Sequence, residues 1–458
     1  MTSTFKPFRE AKILIALATP IIITQLLQIS TMVVDTLMAG RANATELSGV
    51  AVGSSLWVPL FLMMIGTLGA LTPTVAQSLG ARDFDDIPFQ VSQSFWKLVL
   101  LLPVGFSVAL VIKPVFVMMD VSDTITPIAT GYFHALLWGL PAVLGYNIIR
   151  YYSDGLGLTR PAMYASLVGA LANIPLNYVL IFGKLGFPAL GGVGCGWASA
   201  VSFWIMFLFM AVWVLVRREY SHVRIFTTFH RPHLPAIIKL YQIGLPIGTS
   251  YLVESSVFSV IALFLSRFGT VVVAAHQIAL NVASVVFMIP LSLGITLTIR
   301  VGQLIGANQA QQAQNVAFLG VFMSLAYGAC TAILLWVFNM HIPAMYNNQQ
   351  EVINLAAQLL IFAAIFQLGD ATQVAAAGAL RGYKDTKVPM FIVVLAFWMM
   401  GLPVGYSLGI VGVWGEPMLA KGFWIGLIVA LMVVALFLVA RLRRVSRRAI
   451  PIKMAASG

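Results

Sequence analysis

The sequence is short of charge. Asp, Glu, Lys and Arg make up only 9% of its 458 residues, against about 25% in an ordinary soluble domain, which excludes a water-soluble globular enzyme. Its two cysteines, Cys195 and Cys330, both sit in apolar stretches, so neither a disulfide framework nor a cysteine-based metal site is expected. No Gly-x-x-x-x-Gly-Lys-Ser/Thr phosphate loop occurs, nor a His-Glu-x-x-His motif, nor a nucleophile elbow. ATP binding of that kind and intramembrane proteolysis or acyl transfer are thereby set aside. His230 and His233 have no third ligand near them in sequence. The chain reads as a non-enzyme without a cofactor. What it has in abundance is apolar: 60% of its residues are hydrophobic and its mean hydropathy is +0.93. Disorder is excluded on the same ground, and an integral membrane protein remains.

A helix needs about 20 mostly apolar residues to cross the hydrocarbon core. Twelve stretches qualify: 13–38, 46–77, 94–112, 128–150, 162–182, 193–216, 243–266, 274–300, 316–338, 353–380, 388–411 and 418–440. The first is too long for a cleaved signal peptide. An all-α, polytopic fold follows, with an N-terminal six-helix bundle (1–216), a cytoplasmic linker (217–240), a C-terminal six-helix bundle (241–440) and a basic tail (441–458). If the N-terminus (Lys6, Arg9, Lys12) is cytoplasmic, 22 of the 27 basic residues lie on that side, leaving only Arg41, Lys113, Lys184, Arg267 and Lys421 opposite. This asymmetry predicts that both termini are cytoplasmic. It accounts for the net charge of +12 as a topology signal with some attraction to anionic lipid, not a nucleic-acid surface. Arg217, Arg218, Arg224, Arg231 and Lys239 of the linker, and Arg441, Arg443, Arg444, Arg447, Arg448 and Lys453 of the tail, belong to that count.

The two halves repeat at a shift of about 226 residues. Thr72 to Ala81 aligns with Thr298 to Ala307, Pro20 with Pro246, Gly155 to Met163 with Gly382 to Met390, and Gly196 with Gly422. Six spans per half is an even number, so both halves enter the membrane from the same side. That predicts parallel repeats about a pseudo-twofold axis along the membrane normal, a layout of secondary transporters.

Three acids fall within spans: Asp35 in the first, Glu254 in the seventh and Asp370 in the tenth. Each costs at least about 2.5–3.5 kcal/mol at a helix centre. No Lys or Arg is expected deep in a span to offset that cost: Arg150, Arg300 and Arg381 lie near span ends, and Lys97 near the start of its span. A carboxylate so placed either takes up a proton or holds a metal cation. Both make it a site where H⁺ or Na⁺ competes with an organic cation. Asn173 and Asn177 share one face of the fifth span around Pro175. They suit Na⁺ as oxygen ligands together with Asp35, and equally suit gluing helices together. Gln277 and Asn281 are one turn apart in the eighth span, as are Gln367 and Asp370 in the tenth. Ser255, Ser256, Gln373, Phe287 and Met288 are further cavity candidates, the aromatics through cation–π contact. His276 reads as a hydrogen-bonded structural group.

At these residues the chain resembles the multidrug and toxic compound extrusion (MATE) family, in its NorM-type bacterial branch. The resemblance runs from Ala18-Thr19-Pro20 to Gly422–Leu427. Its most specific stretches begin at Glu254, Ala275, Thr298 and Asp154. It implies a secondary active antiporter of the bacterial inner (cytoplasmic) membrane that works as a monomer. By alternating access it would export cationic, amphipathic drugs and dyes in exchange for Na⁺ or H⁺. Asp35 then matches the acid of the N-terminal lobe, and Glu254 and Asp370 match the cation-binding acids of the C-terminal lobe. Asp35, Glu254, Gln277, Asn281, Phe287 and Asp370 are the expected substrate-binding set. Asp35, Asn173, Asn177, Glu254 and Asp370 are the expected coupling set, with Na⁺ as the metal that they would hold. Phe366 stands where related transporters can offer a Tyr hydroxyl, which leaves proton coupling open. The alternative reading is a flippase for a lipid-linked precursor, whose anionic cargo would call for basic residues in the cavity.

Overall fold

A computed structural model describes residues 5–223, 225–226, 229–413 and 415–450. Arg224 of the linker and Lys453 of the tail lie outside them. Among the described residues twelve helices are long and apolar enough to span a membrane. They are α1 (Pro7–Ala42), α2 (Ala44–Ala81), α3 (Asp86–Met118), α4 (Thr126–Gly155), α5 (Arg160–Phe182) and α6 (Gly191–Val216), then α7 (Leu234–Phe268), α8 (Thr270–Gly306), α9 (Ala310–Val337), α10 (Gln350–Gly382), α11 (Lys387–Val411) and α12 (Ala420–Ala449). Most overrun the sequence-drawn limits, because a helix need not stop where the apolar run does. Thus α3 begins eight residues before the expected start at 94, and α12 carries Arg441 to Arg448 as helix instead of tail.

Local chemistry sets the ends and breaks. Asn43 caps α2, its Oδ1 accepting from the Glu46 amide at 2.8 Å. Gly183 closes α5 in the left-handed conformation (φ +67°) that a side chain would resist. Helix α2 is interrupted at Gly69 and Ala70. In α11, the segments Leu395–Gly401 and Ser407–Val411 widen to π-helix.

The chain forms two compact units. One comprises Met1–Ala18, Gly80–Arg82 and Thr249–Gly458, the other Thr19–Leu79 and Asp83–Gly248. For brevity they are the C unit and the N unit. The boundaries fall inside α1 and α7, beside Pro20 and Pro246, where a proline removes one backbone hydrogen bond from the helix.

In the N unit α4 is central and packs on α2, α3 and α6. Its core holds Phe133, Leu140, Tyr146, Ile149 and Tyr152. In the C unit α10 takes the same part against α8, α9 and α12, with Leu359, Ala363, Ala375 and Leu380 in the core beside Phe423 and Trp424 of α12. Close approach is bought by small residues. A Cβ on Gly378 of α10 would fall on the Gly294 carbonyl of α8, and Thr298 Oγ1 donates to the Gly378 carbonyl at 2.8 Å. Large apolar side chains such as Leu110 and Leu436 remain exposed on the outside of each unit, as lipid-facing helices require.

The α6–α7 connection is fastened to α3 within the N unit. Gln93 donates to the Arg231 carbonyl (2.9 Å) and accepts from the His233 amide (2.7 Å), while Trp96 Nε1 donates to the His230 carbonyl (3.0 Å). Tyr220, just past α6, is buried with its hydroxyl 2.6 Å from Ser153 Oγ. Burial holds this phenol above its ordinary range.

Candidate functional site

The sequence-predicted acids come together with polar partners as two groups, one in each unit. In the N unit, Asp35 lies two turns from the end of α1 and is 8% exposed. Its Oδ1 accepts from Asn177 Nδ2 at 2.6 Å and its Oδ2 from Ser199 Oγ at 2.8 Å. Asn177 Nδ2 also donates to Asn173 Oδ1 at 2.8 Å, and Asn173 Nδ2 lies 3.5 Å from Ser199 Oγ. Helical spacing explains the pair on α5: residues four apart project from one face. Ser199, on α6, had gone unremarked in the sequence, where a single serine among small residues carries no periodic signal. All four polar side chains are buried, yet no donor among the described residues reaches Asn177 Oδ1.

In the C unit, Glu254 of α7 accepts from Gln373 Nε2 of α10 at 2.7 Å. Asp370, one turn before Gln373, is within electrostatic reach of Glu254. No hydrogen bond or ion pair to the Asp370 carboxylate is found among the described residues. Two carboxylates within reach of each other resist both being ionised unless a positive species compensates them. Gln367, fully buried, donates to the Ala283 carbonyl at 3.3 Å, and no donor among the described residues reaches its Oε1. The same holds for Gln373 Oε1 among the described residues. His276 accepts at Nδ1 from Trp424 Nε1 (3.2 Å). Phe366 packs edge-on against Phe258 and Trp424.

Other candidates are placed elsewhere. Gln277 and Asn281 are exposed on α8 and reach each other at 3.4 Å; no described contact ties them to Glu254 or Asp370. Phe287 and Met288 are half-buried on α8, and Ser255 and Ser256 bond to the backbone of their own helix.

The expectation that no basic residue lies deep in a span is corrected at Lys97, whereas Arg150 and Arg381 stay near the ends of α4 and α10 as expected. Lys97 is 1% exposed and three turns into α3, because that helix starts before the apolar run does. Its Nζ donates to the Thr67 and Leu240 carbonyls at 2.5 and 3.1 Å and lies 4.8 Å from the Tyr241 ring centre. Arg150 is buried in α4 and pairs with Asp154 at 3.5 Å, a fourth buried acid that had been read as lying beyond its span. Arg381 acts electrostatically on Glu254, but its guanidinium is engaged by Tyr251, through the hydroxyl at 2.8 Å and over the ring. None of Asp35, Glu254 and Asp370 makes an ion pair among the described residues. The remaining pairs there, Arg300–Glu10 and Arg441–Asp385, both at 2.7 Å, tie helix ends together.

The MatE family model matches the chain twice, over residues 20–179 and 246–407. The two matches begin at Pro20 and Pro246, the shift read from the internal repeat. Multidrug resistance protein NorM of Vibrio vulnificus (strain YJ016) is 42% identical over 441 residues, covering 96% of each chain. Multidrug resistance protein MdtK of Yersinia pseudotuberculosis serotype O:1b (strain IP 31758) is 43% identical over 438 residues, 95% of each. Among solved structures, the eukaryotic MATE transporter AtDTX14 superposes with a TM-score of 0.87 at 19% identity, over 97% of this chain and 99% of that one. That last likeness speaks for the fold alone.

Proposed function

The chain belongs to the MatE family, and from that premise we propose that it is a secondary antiporter that uses its buried carboxylates to exchange Na⁺ or H⁺ for cationic drugs. It is a multi-pass bacterial membrane protein and a multidrug efflux transporter. The observation that supports coupling at the acids is their solvation. Asp35 is held by Asn177 and Ser199 and Glu254 by Gln373, neutral donors all, and no hydrogen bond or ion pair to Asp370 is found among the described residues. A neutral donor stabilises a carboxylate without cancelling its charge, so attraction for a cation survives burial. A direct ion pair would have spent it.

The cycle alternates access to these acids between the two sides of the inner membrane, with both termini cytoplasmic. A lipophilic cation arrives from the cytoplasm or inner leaflet and is retained by the charged carboxylates. Entering Na⁺ or H⁺ then occupies them and displaces the drug outward. Exchange of this kind requires the coupling ion to favour the state that the drug disfavours. A potential of 100 mV supplies about 2.3 kcal/mol for each entering cation not compensated by an exported charge, a gradient of roughly 50-fold. The protein acts as a monomer in this reading.

The test is uptake of a fluorescent organic cation into everted vesicles, with a Na⁺ gradient imposed at fixed pH and then a pH gradient without Na⁺. Gradient-driven uptake by either ion is the expected result. Uptake indifferent to both gradients would mean a channel.

A further inference from the structure

Where α6 ends, within the N unit, an aromatic cluster, an apolar wall and three charged residues meet. The ring of Trp213 lies 5.4 Å from that of Tyr164 on α5 and 5.5 Å from that of Phe209. Trp and Tyr gather at the level of the membrane headgroups, and the apolar run of α6 stops at Val216. These rings therefore mark the edge of the hydrocarbon. Arg217 follows in extended backbone (φ −78°, ψ 131°), and Arg218–Tyr220 form one tight turn. The buried Tyr220 hydroxyl fastens that turn to Ser153, which keeps Arg217, Arg218 and Glu219 together and exposed at the helix end.

A cavity of about 830 Å³ opens here. Leu208, Val212 and Val216, each more than half exposed, line its apolar part, and Arg217, Arg218 and Glu219 form its rim. The Arg217 guanidinium sits over the Trp213 ring, 4.3 Å from its centre. Among the described residues no ion pair or side-chain hydrogen bond engages Arg217, Arg218 or Glu219. Arg160, exposed one turn before Tyr164, adds a third cation on the same side. Glu219 offsets only one of the three, so the rim stays positive and its N–H donors stay unused.

Charge and shape together select the occupant. A free phosphate would leave the apolar wall bare, and an acyl chain alone would leave the guanidiniums unpaired. Guanidinium and phosphate match each other in charge and in fork geometry, whereas a zwitterionic headgroup would bring an ammonium up to the arginines. We propose that this cavity binds one anionic phospholipid of the phosphatidylglycerol type, its phosphate at Arg217 and Arg218 and an acyl chain along Leu208, Val212 and Val216. Glu219 gives the glycerol hydroxyls an acceptor. The diffuse pull of the basic side on anionic lipid is thereby focused into one site, which tethers the start of the α6–α7 connection to the membrane face. The site is separate from the buried acids and stands whichever ion is coupled.

The test is native mass spectrometry of the purified full-length protein, titrated in mixed micelles with phosphatidylglycerol and, separately, with phosphatidylethanolamine. It reads the lipid concentration that half-fills the first site, which the parent should reach sooner with phosphatidylglycerol. A surface arginine contributes about fivefold toward an anionic headgroup, so Arg217→Gln/Arg218→Gln should weaken that binding by about 25-fold. Arg443→Gln/Arg444→Gln removes the same charge from exposed positions on α12 and should leave it unchanged. Val212→Trp fills the apolar part with both arginines in place and should also weaken it; this variant carries the test if the arginine variant does not fold. Equal affinity of the parent for the two lipids overturns the proposal. So does parent-like binding in Arg217→Gln/Arg218→Gln or Val212→Trp, and so does an equal loss in Arg443→Gln/Arg444→Gln, which would mean diffuse attraction only.

Discussion

At the scale of single residues, what distinguishes the buried charges is how each is compensated. Arg150 and Asp154 compensate each other inside α4, and Arg150 reaches Gln25 at 3.2 Å. Breaking such a pair leaves an unpaired buried charge at about 3–5 kcal/mol, whereas replacing both with apolar groups is often neutral. Asp154→Leu should therefore lower the melting temperature in detergent markedly, and Arg150→Met/Asp154→Leu should recover most of the loss. Equal destabilisation by single and double variants would show that the pair is not coupled. Asp370 and Glu254 behave oppositely, since nothing of opposite sign neutralises them directly. Asp370→Asn removes a charge that only repels Glu254, so the protein should fold at parental yield yet lose coupled drug efflux. Wild-type drug tolerance at normal expression would take that residue out of the mechanism. Glu254→Gln should alter the ion dependence of transport more than protein yield, read by the same gradient swap. Unchanged ion dependence would count against a coupling role.

At the scale of helices, Lys97 shows what a buried ammonium does when no acid is offered. Two of its hydrogen bonds go to carbonyls near the end of the first segment of α2 and in the first half of α7, and Gly244 lets α7 approach so closely that a Cβ there would strike the Thr67 carbonyl. Hydrogen bonds to a charged group are worth about 1.5–3 kcal/mol each, and desolvating the ammonium costs several, so the two nearly cancel. Lys97→Met should then leave the melting temperature almost unchanged while raising amide hydrogen exchange over 234–248, the part of α7 that the lysine pins. Lower melting with unaltered exchange would contradict this balance. Lys97 also marks the limit of sequence reading. Twelve spans, the duplication and the acids Asp35, Glu254 and Asp370 were legible, because apolar length and buried charge leave signals in one dimension. Asn173 and Asn177 were legible as a pair because helical period puts them on one face. Ser199, the depth of Lys97 and the embrace of Arg381 by Tyr251 were not. Each depends on which helix lies alongside, and on where a helix begins relative to its apolar run.

At the scale of the whole molecule, the charge asymmetry makes orientation the property to test. With 22 of 27 basic residues on one side, the positive-inside bias predicts cytoplasmic termini. Coupling by an entering cation draws on the potential only if the acids can be loaded from the outer face and emptied at the inner one. Two exposed positions one span apart test the orientation: Lys184, between α5 and α6, and Arg231, between α6 and α7. Cys195 is buried and Cys330 exposed, and both are free, so the test begins from Cys195→Ala/Cys330→Ala. In that background a membrane-impermeant maleimide should label Lys184→Cys in right-side-out vesicles and Arg231→Cys only in everted ones. Arg231 holds to α3 through its backbone carbonyl, not its side chain, so its replacement leaves that fastening in place. The reverse labelling pattern would put the termini outside. The direction of exchange would be unaffected, because the ion gradient and the potential set it and not the insertion of the chain.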